Sequence, residues 1–175
     1  MSTIISAAII IAVLILITWL FIVIHKNNQE KKAAGLRVQF NELAFKNNLV
    51  ITDTEIMHNQ LFGIDELYSK MLVVKTTGKN RYRHRIVFLD DVIACTLQKN
   101  TRAVYEKGNT EKITEVIVEQ VSLLFEYTDK RKPFELVFYK NDTDYIFELP
   151  QLQTKAENWR EHISKKIKKQ LRNIA

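Results

Sequence analysis

The sequence predicts an α+β protein with an N-terminal transmembrane helix, a bent antiparallel sheet or barrel of about seven strands, and a C-terminal amphipathic helix. Three observations predict this class. Residues 4–24 form an uncharged apolar run, the segments after Leu49 alternate β-branched or aromatic with polar residues, and a helical apolar stripe follows Pro150. The predicted boundaries are an anchor at 1–25, a juxtamembrane linker with a short helix at 26–48, and one β-rich domain at 49–175.

The apolar run is long enough for a membrane anchor, because its 21 residues rise about 30 Å as a helix, the thickness of a hydrocarbon core. No Lys or Arg precedes the run and no small-residue cleavage site follows it, which favours an uncleaved anchor over a signal peptide. Four basic residues follow it between positions 26 and 37. By the positive-inside rule we expect the N-terminus outside and the C-terminal domain in the cytoplasm.

A short helix is predicted at about 29–46, because Ala33, Leu36, Phe40 and Leu43 recur at steps of three and four residues. Two interpretations of this stripe stay open. It packs on its own domain, which we favour, or Leu36, Phe40 and Leu43 contact a helix of a membrane protein partner.

Period-two alternation between turn-forming residues predicts seven strands, joined by turns short enough for antiparallel neighbours. In the fifth strand the apolar parity changes between Val118 and Val121, which predicts a β-bulge or a sharp bend near Glu119 and Gln120; a plain loop is the alternative. The predicted strands are 55–62, 67–75, 84–89, 93–99, 115–127, 134–140 and 144–149.

The last predicted element is a helix from about 151 to 173. Pro150 lacks the N–H that a strand ladder needs and suits the first turn of a helix. Apolar residues then recur every three or four positions, and basic residues crowd the final turns, where cations complement the helix dipole. The stripe comprises Leu152, Ala156, Trp159, Ile163, Ile167 and Leu171.

Short antiparallel strands followed by one amphipathic helix with a central Trp159 resemble the pleckstrin-homology-like (PH-like) fold. The phrase Ile-Val-Phe-Leu-Asp-Asp-Val at 86–92 is similar to strand-and-turn segments of bacterial members. The resemblance covers about 55–173 and implies a binding scaffold in a protein of the bacterial inner (cytoplasmic) membrane. In eukaryotic members a basic run in an early hairpin holds phosphoinositide phosphates, and Lys79, Arg81 and Arg83 are similar to that run.

No set of residues in the sequence predicts an active site. The four histidines are scattered singly, and no His or Cys has the spacing of a zinc site. Cys95 shares parity with Ile93 and Leu97, which predicts a core thiol. Asp90 and Asp91 are adjacent at a strand end and therefore point apart. We expect a protein that is not an enzyme, with no cofactor and no metal.

Two basic clusters account for more than the net charge of +6, and the rest of the chain is net negative. Lys79, Arg81, Arg83 and Arg85 alternate, so in an extended segment they share one side and are placed to hold phosphates. The second cluster includes Lys165, Lys168 and Lys169 near the end of the last helix. For both, an ordinary solvated surface is the alternative.

These observations predict a single-pass protein that presents a non-catalytic binding domain to anionic lipid headgroups or to a membrane protein partner. A structural or accessory subunit of a membrane protein assembly is the alternative function. We expect no nucleic acid partner, because no aromatic residues are arranged among the basic ones for base stacking.

Overall fold

The computed structural model describes residues 14–20, 23–24, 26, 30–57, 59–78, 81–105, 115–129 and 131–167, together with the bounds of its helices and strands. In that part of the chain, two 3₁₀ turns, at Leu89–Asp91 and Ile146–Glu148, accompany the longer elements. In chain order these are α1 (Ser2–Lys46), β1 (Ile51–Met57), β2 (Gln60–Asp65), β3 (Lys70–Thr76), β4 (Tyr82–Phe88), β5 (Val92–Glu106), β6 (Asn109–Tyr127), β7 (Phe134–Lys140) and α2 (Leu149–Ile174).

The strands form two sheets, which corrects the predicted single bent sheet. One sheet has four strands in the order β1-β2-β3-β4, and the other has three in the order β5-β6-β7. The pairs β1–β2, β5–β6 and β6–β7 are antiparallel, as expected from the short connections. The 3₁₀ turn Leu89–Asp91 lies between β4, the last strand of the first sheet, and β5, the first strand of the second. The α+β class and the C-terminal helix are as predicted.

The predicted membrane anchor is wrong. Among the residues that the structure describes, no helix is both long enough and apolar enough to span a bilayer. Of the predicted anchor at 1–25, residues 1–13, 21, 22 and 25 lie outside the described side chains. The single-pass topology and the inner-membrane location that depended on this anchor are corrected with it.

The chain divides into two compact units, of which the first comprises Met1–Glu66 and Leu72–Ile86. Its core lies between the C-terminal half of α1 and one face of the four-stranded sheet. Half-buried residues from β1 and β4 extend this core at its margins. The buried members are Leu36, Phe40, Ala44, Leu49, Leu61, Leu72 and Val74.

The second unit comprises Leu67–Met71 and Val87–Ala175. Here α2 packs on β5, β6 and β7. The stripe predicted for this helix is buried at Leu152, Ala156, Trp159, Ile163 and Ile167, which confirms it, whereas Leu171 lies outside the described residues. The helix begins at Leu149, so Pro150 does occupy its first turn.

The predicted β-bulge is confirmed in β6. Asn100 pairs with Gln120, and the next residue, Thr101, pairs with Val118, so the ladder skips Glu119. The Nε atom of Arg102 lies 3.1 Å from the Glu119 Oε1 atom. The extra residue moves the apolar side chains of β6 to the opposite parity, as the sequence required.

Two predicted strands are wrong. The segment 55–62 contains the end of β1, a turn and the start of β2. The segment 144–149 contains the 3₁₀ turn Ile146–Glu148 and the first residue of α2. The Tyr145 N–H donates to the Glu148 carboxylate at 3.1 Å, and the Glu148 N–H donates to the Tyr145 carbonyl at 2.9 Å. These two hydrogen bonds close the turn and prevent an extended conformation.

Candidate anion-binding face of strand β4

Strand β4 lies at one edge of the four-stranded sheet and has two different faces. Tyr82 and Ile86 pack against the core beneath α1. Because side chains alternate along a strand, Arg83 and Arg85 point to the opposite face, and both are exposed. Arg81 is exposed directly before the strand, two residues from Arg83, and extends this line of arginines along the chain. Three of the four predicted residues therefore lie in one row, the arginine row, and Lys79 lies outside the described residues.

A tight turn positions the first member of the arginine row. The Thr77 N–H donates to the Arg81 carbonyl at 2.8 Å, and the Arg81 N–H donates to the Gly78 carbonyl at 3.5 Å. Gly78 has φ +139°, a conformation that L-residues with a side chain rarely adopt. A Cβ at Gly78 would stand 3.4 Å from the Arg81 Nη2 atom. The guanidinium of Arg81 therefore folds back over the glycine.

The arginine row concentrates positive charge at the strand edge. Within the part of the chain that the structure describes, neither Arg81 nor Arg83 forms an ion pair with a carboxylate. Each guanidinium offers a planar set of donors that matches two oxygens of a phosphate or carboxylate. The arrangement can bind anions and, by itself, supplies no general acid, general base or nucleophile.

The second predicted cluster is only partly described. Lys165 is exposed on α2, and Lys168 and Lys169 lie outside the described residues. Lys165 belongs to the second unit, whereas the arginine row belongs to the first. Of these three lysines, the structure therefore describes only Lys165.

The residues considered for a partner helix lie in the core of their own unit. Leu36 and Phe40 are 1% and 2% exposed, and Leu43 is half-buried against the same core. This burial agrees with the interpretation in which the stripe packs on its own domain. Leu36 and Phe40 therefore have no exposed surface to offer a partner helix.

The surroundings of Cys95 and of Asp91 indicate structural roles for these two residues. Cys95 is buried, and this burial raises the pKa of its thiol to about 12. The Asp91 carboxylate accepts a hydrogen bond from the Arg131 guanidinium, which also lies 3.9 Å from the centre of the Tyr127 ring. Among the described residues no group of three or more His, Cys, Asp or Glu could hold a metal ion.

One exposed apolar feature escaped the sequence analysis. Tyr145, Ile146 and Phe147 are 64%, 65% and 75% exposed. The two aromatic rings stack with centroids 5.2 Å apart. The signal in the sequence was the apolar triplet between Asp144 and Pro150, which alternation alone assigned to a strand. We call these three residues the aromatic turn.

Comparison with known proteins yields no relative. No protein-family model, curated protein or solved structure matches this chain.

Proposed function

We propose that this chain is a non-catalytic binding module with a PH-like fold that binds the phosphates of anionic lipid headgroups on the arginine row of β4. The observation that carries the proposal is the exposure of Arg83 and Arg85 on one face of the edge strand β4, with Arg81 exposed directly before the strand. The PH-like assignment is supported by the order of elements, in which a four-stranded and a three-stranded antiparallel sheet precede one C-terminal helix.

Strand geometry suits the arginine row to several anionic groups at once. Residues two apart in a strand are separated by about 6.6 Å, so neighbouring arginines reach neighbouring headgroups without sharing one phosphate. Each basic residue near an anionic surface contributes about 1 kcal/mol of attraction, which decreases within a Debye length. Packing of Tyr82 and Ile86 in the core holds the strand that presents the arginines.

Vesicle binding tests this proposal on the full chain. The vesicles combine phosphatidylcholine with phosphatidylglycerol in a ratio of about seven to three, at low salt. Exchange of Arg81 and Arg83 together for Gln removes two of the positive charges. We expect about 25-fold weaker binding in a co-sedimentation assay, since the attraction is about 1 kcal/mol for each residue. Vesicles of phosphatidylcholine alone should bind neither form.

The matched control exchanges Lys46 and Lys132 for Gln, which removes the same charge from exposed positions outside the row. Its binding should stay within a factor of about three of the original protein, the difference that general charge attraction produces. Equal weakening by both double variants would contradict a site at β4. A second experiment adds soluble glycerol phosphate as a competitor of vesicle binding. Competition at low concentration would show that the site binds free phosphate compounds instead of a lipid surface.

A protein-binding role is the second candidate, because the aromatic turn exposes two stacked rings and Ile146 on a closed 3₁₀ turn. A photo-crosslinking amino acid at Phe147 should then form one discrete protein adduct in cells. The same amino acid at Phe45, which is 84% exposed on α1, is the control. Identical adducts from both positions, or none from Phe147, would contradict this role.

A further inference from the structure

A cleft of about 540 Å³ lies within the first unit, between α1 and the β1–β2 hairpin. Its floor is apolar. Phe40 and Leu61 are buried there, and Ile51 and Ile56 are half-buried. The volume falls within the range of about 300 to 1,000 Å³ that is common for sites of small molecules.

Polar side chains border this floor on two sides. Arg37 and Asn41 are one helical turn apart on α1, and Thr54 lies on β1. All three side chains are exposed, and in the described ranges none of them hydrogen-bonds to another residue. The cleft thus combines one cation, one carboxamide and one hydroxyl with an apolar floor.

The walls of the cleft are fixed by packing. Gly63 has no Cβ, and a Cβ there would stand 2.9 Å from the Phe40 Cζ atom, so the ring lies directly on the sheet. The Val50 N–H donates to the buried Asp65 carboxylate at 2.8 Å, which fixes the chain just before β1. A cleft with walls held in this way needs little rearrangement to admit a ligand.

We propose that this cleft binds a small amphipathic molecule with one negative charge, such as a carboxylate with an unbranched apolar body. The Arg37 guanidinium pairs with the carboxylate, while Asn41 and Thr54 donate hydrogen bonds to it. The apolar body lies on the floor formed by Ile51 and Ile56. Glu55 also lines the cleft and balances the charge of Arg37, so a ligand's single carboxylate is attracted where it contacts Arg37 and any further negative charge near Glu55 is repelled.

This site is independent of the arginine row. The arginine row offers several exposed guanidinium groups, which suit the binding of phosphates. The cleft offers one guanidinium above an apolar floor, which suits a monoanion with a hydrophobic body. Binding in the cleft does not require binding at the arginine row, so either proposal can be contradicted without the other.

Titration of decanoate into the full chain tests the inference, with isotope-labelled isoleucine methyl groups as reporters. We expect saturable shifts of the Ile51 and Ile56 methyl signals. Arg37→Gln should weaken decanoate binding about tenfold, because a charge-assisted pair is lost. Arg37 is exposed, so this variant should keep its fold, which the unchanged methyl spectrum without ligand verifies.

The matched control is Arg102→Gln, which removes an exposed arginine from the second unit and should leave decanoate affinity unchanged. Decanol has the same apolar body without the charge and should bind at least tenfold more weakly than decanoate. Inorganic phosphate should not shift either isoleucine. The inference is overturned by the absence of shifts at Ile51 and Ile56, by equal affinity for decanol, or by an Arg37→Gln variant that binds normally.

Discussion

The hydroxyl oxygen of Tyr82 lies 2.7 Å from the point at which a Cβ would stand on Gly35. Glycine is unfavourable inside a helix by about 1 kcal/mol relative to alanine. Here the missing side chain lets the edge strand β4 approach α1 closely. The same contact holds Tyr82 against the core and so helps to orient the strand that carries the arginine row.

Gly35→Ala and Tyr82→Phe should therefore be coupled. We expect Gly35→Ala alone to be neutral or destabilising, because the new Cβ displaces the Tyr82 hydroxyl. In the Tyr82→Phe background the same change should stabilise the chain by up to about 1 kcal/mol, the helix propensity gain of alanine. Chemical denaturation of the four proteins measures the coupling free energy. Additive effects within about 0.3 kcal/mol would show that the two side chains do not compete for the same space.

Phe40→Ala should be among the most destabilising single changes in the first unit. Phe40 is 2% exposed in the core beneath α1, and truncation of a buried phenylalanine costs about 3–5 kcal/mol. Phe45→Ala provides a matched control on the same helix, because Phe45 is 84% exposed and should change the free energy of unfolding by less than about 0.5 kcal/mol. Similar losses for both variants would place the core of this unit elsewhere.

Gly63→Ala should destabilise the first unit by about 1–3 kcal/mol, as overpacking of a core does. The added Cβ would stand 2.8 Å from the Ile51 Cγ2 atom, 2.9 Å from the Asp53 carbonyl oxygen and 2.9 Å from the Phe40 ring. The carbonyl belongs to the backbone and cannot simply rotate away. Thermal unfolding of this variant beside Thr54→Ala, an exposed change on the same sheet, measures the effect. A melting temperature equal to that of the control would contradict the close approach.

The Cys95 thiol should react very slowly with a disulfide reagent in the native chain at pH 8. Burial raises its pKa from 9.0 to about 12, so the reactive thiolate is scarce and shielded from solvent. The measurement is the rate of labelling with and without denaturant, with free cysteine as the reference. Fast labelling of the native chain, close to the rate in denaturant, would contradict a core position.

The same shift predicts the direction of a pH effect on stability. The folded state holds the Cys95 proton more tightly than the unfolded state, whose pKa is near the ordinary value of 9.0. The contribution is therefore fully present below pH 9 and is lost as pH rises towards 12. Cys95→Ala should remove this part of the alkaline loss in denaturation curves recorded between those pH values. An unchanged alkaline slope would assign the loss to other groups.

Local periodicity predicted several elements well. The stripe of α2 could be found from Leu152 to Ile167 because a helix repeats its buried face every three or four residues. The bulge at Glu119 could be found because a change of parity in a strand needs an extra residue. The row of Arg81, Arg83 and Arg85 followed from the same alternation. In each case the spacing of neighbours along the chain was sufficient.

Periodicity failed where it continued through a turn. No glycine or proline lies between Met57 and Gln60, so alternation gave no sign of the hairpin between β1 and β2. Tyr145 and Phe147 also alternate, but the Glu148 side chain closes that segment into a 3₁₀ turn. A strand needs a neighbouring strand, and the pattern of one segment does not reveal whether one is present.

By itself, the sequence determined the helical face of α2, the bulge in β6 and the alignment of the arginine row. Tertiary structure decided the division into two sheets, the burial of Leu36 and Phe40 in their own unit, and the cleft above Gly63. The physical reason is how far apart in the chain the interacting residues lie. Periodicity records which neighbours share a face, whereas pairing partners and cavities depend on contacts between residues that are far apart in the chain.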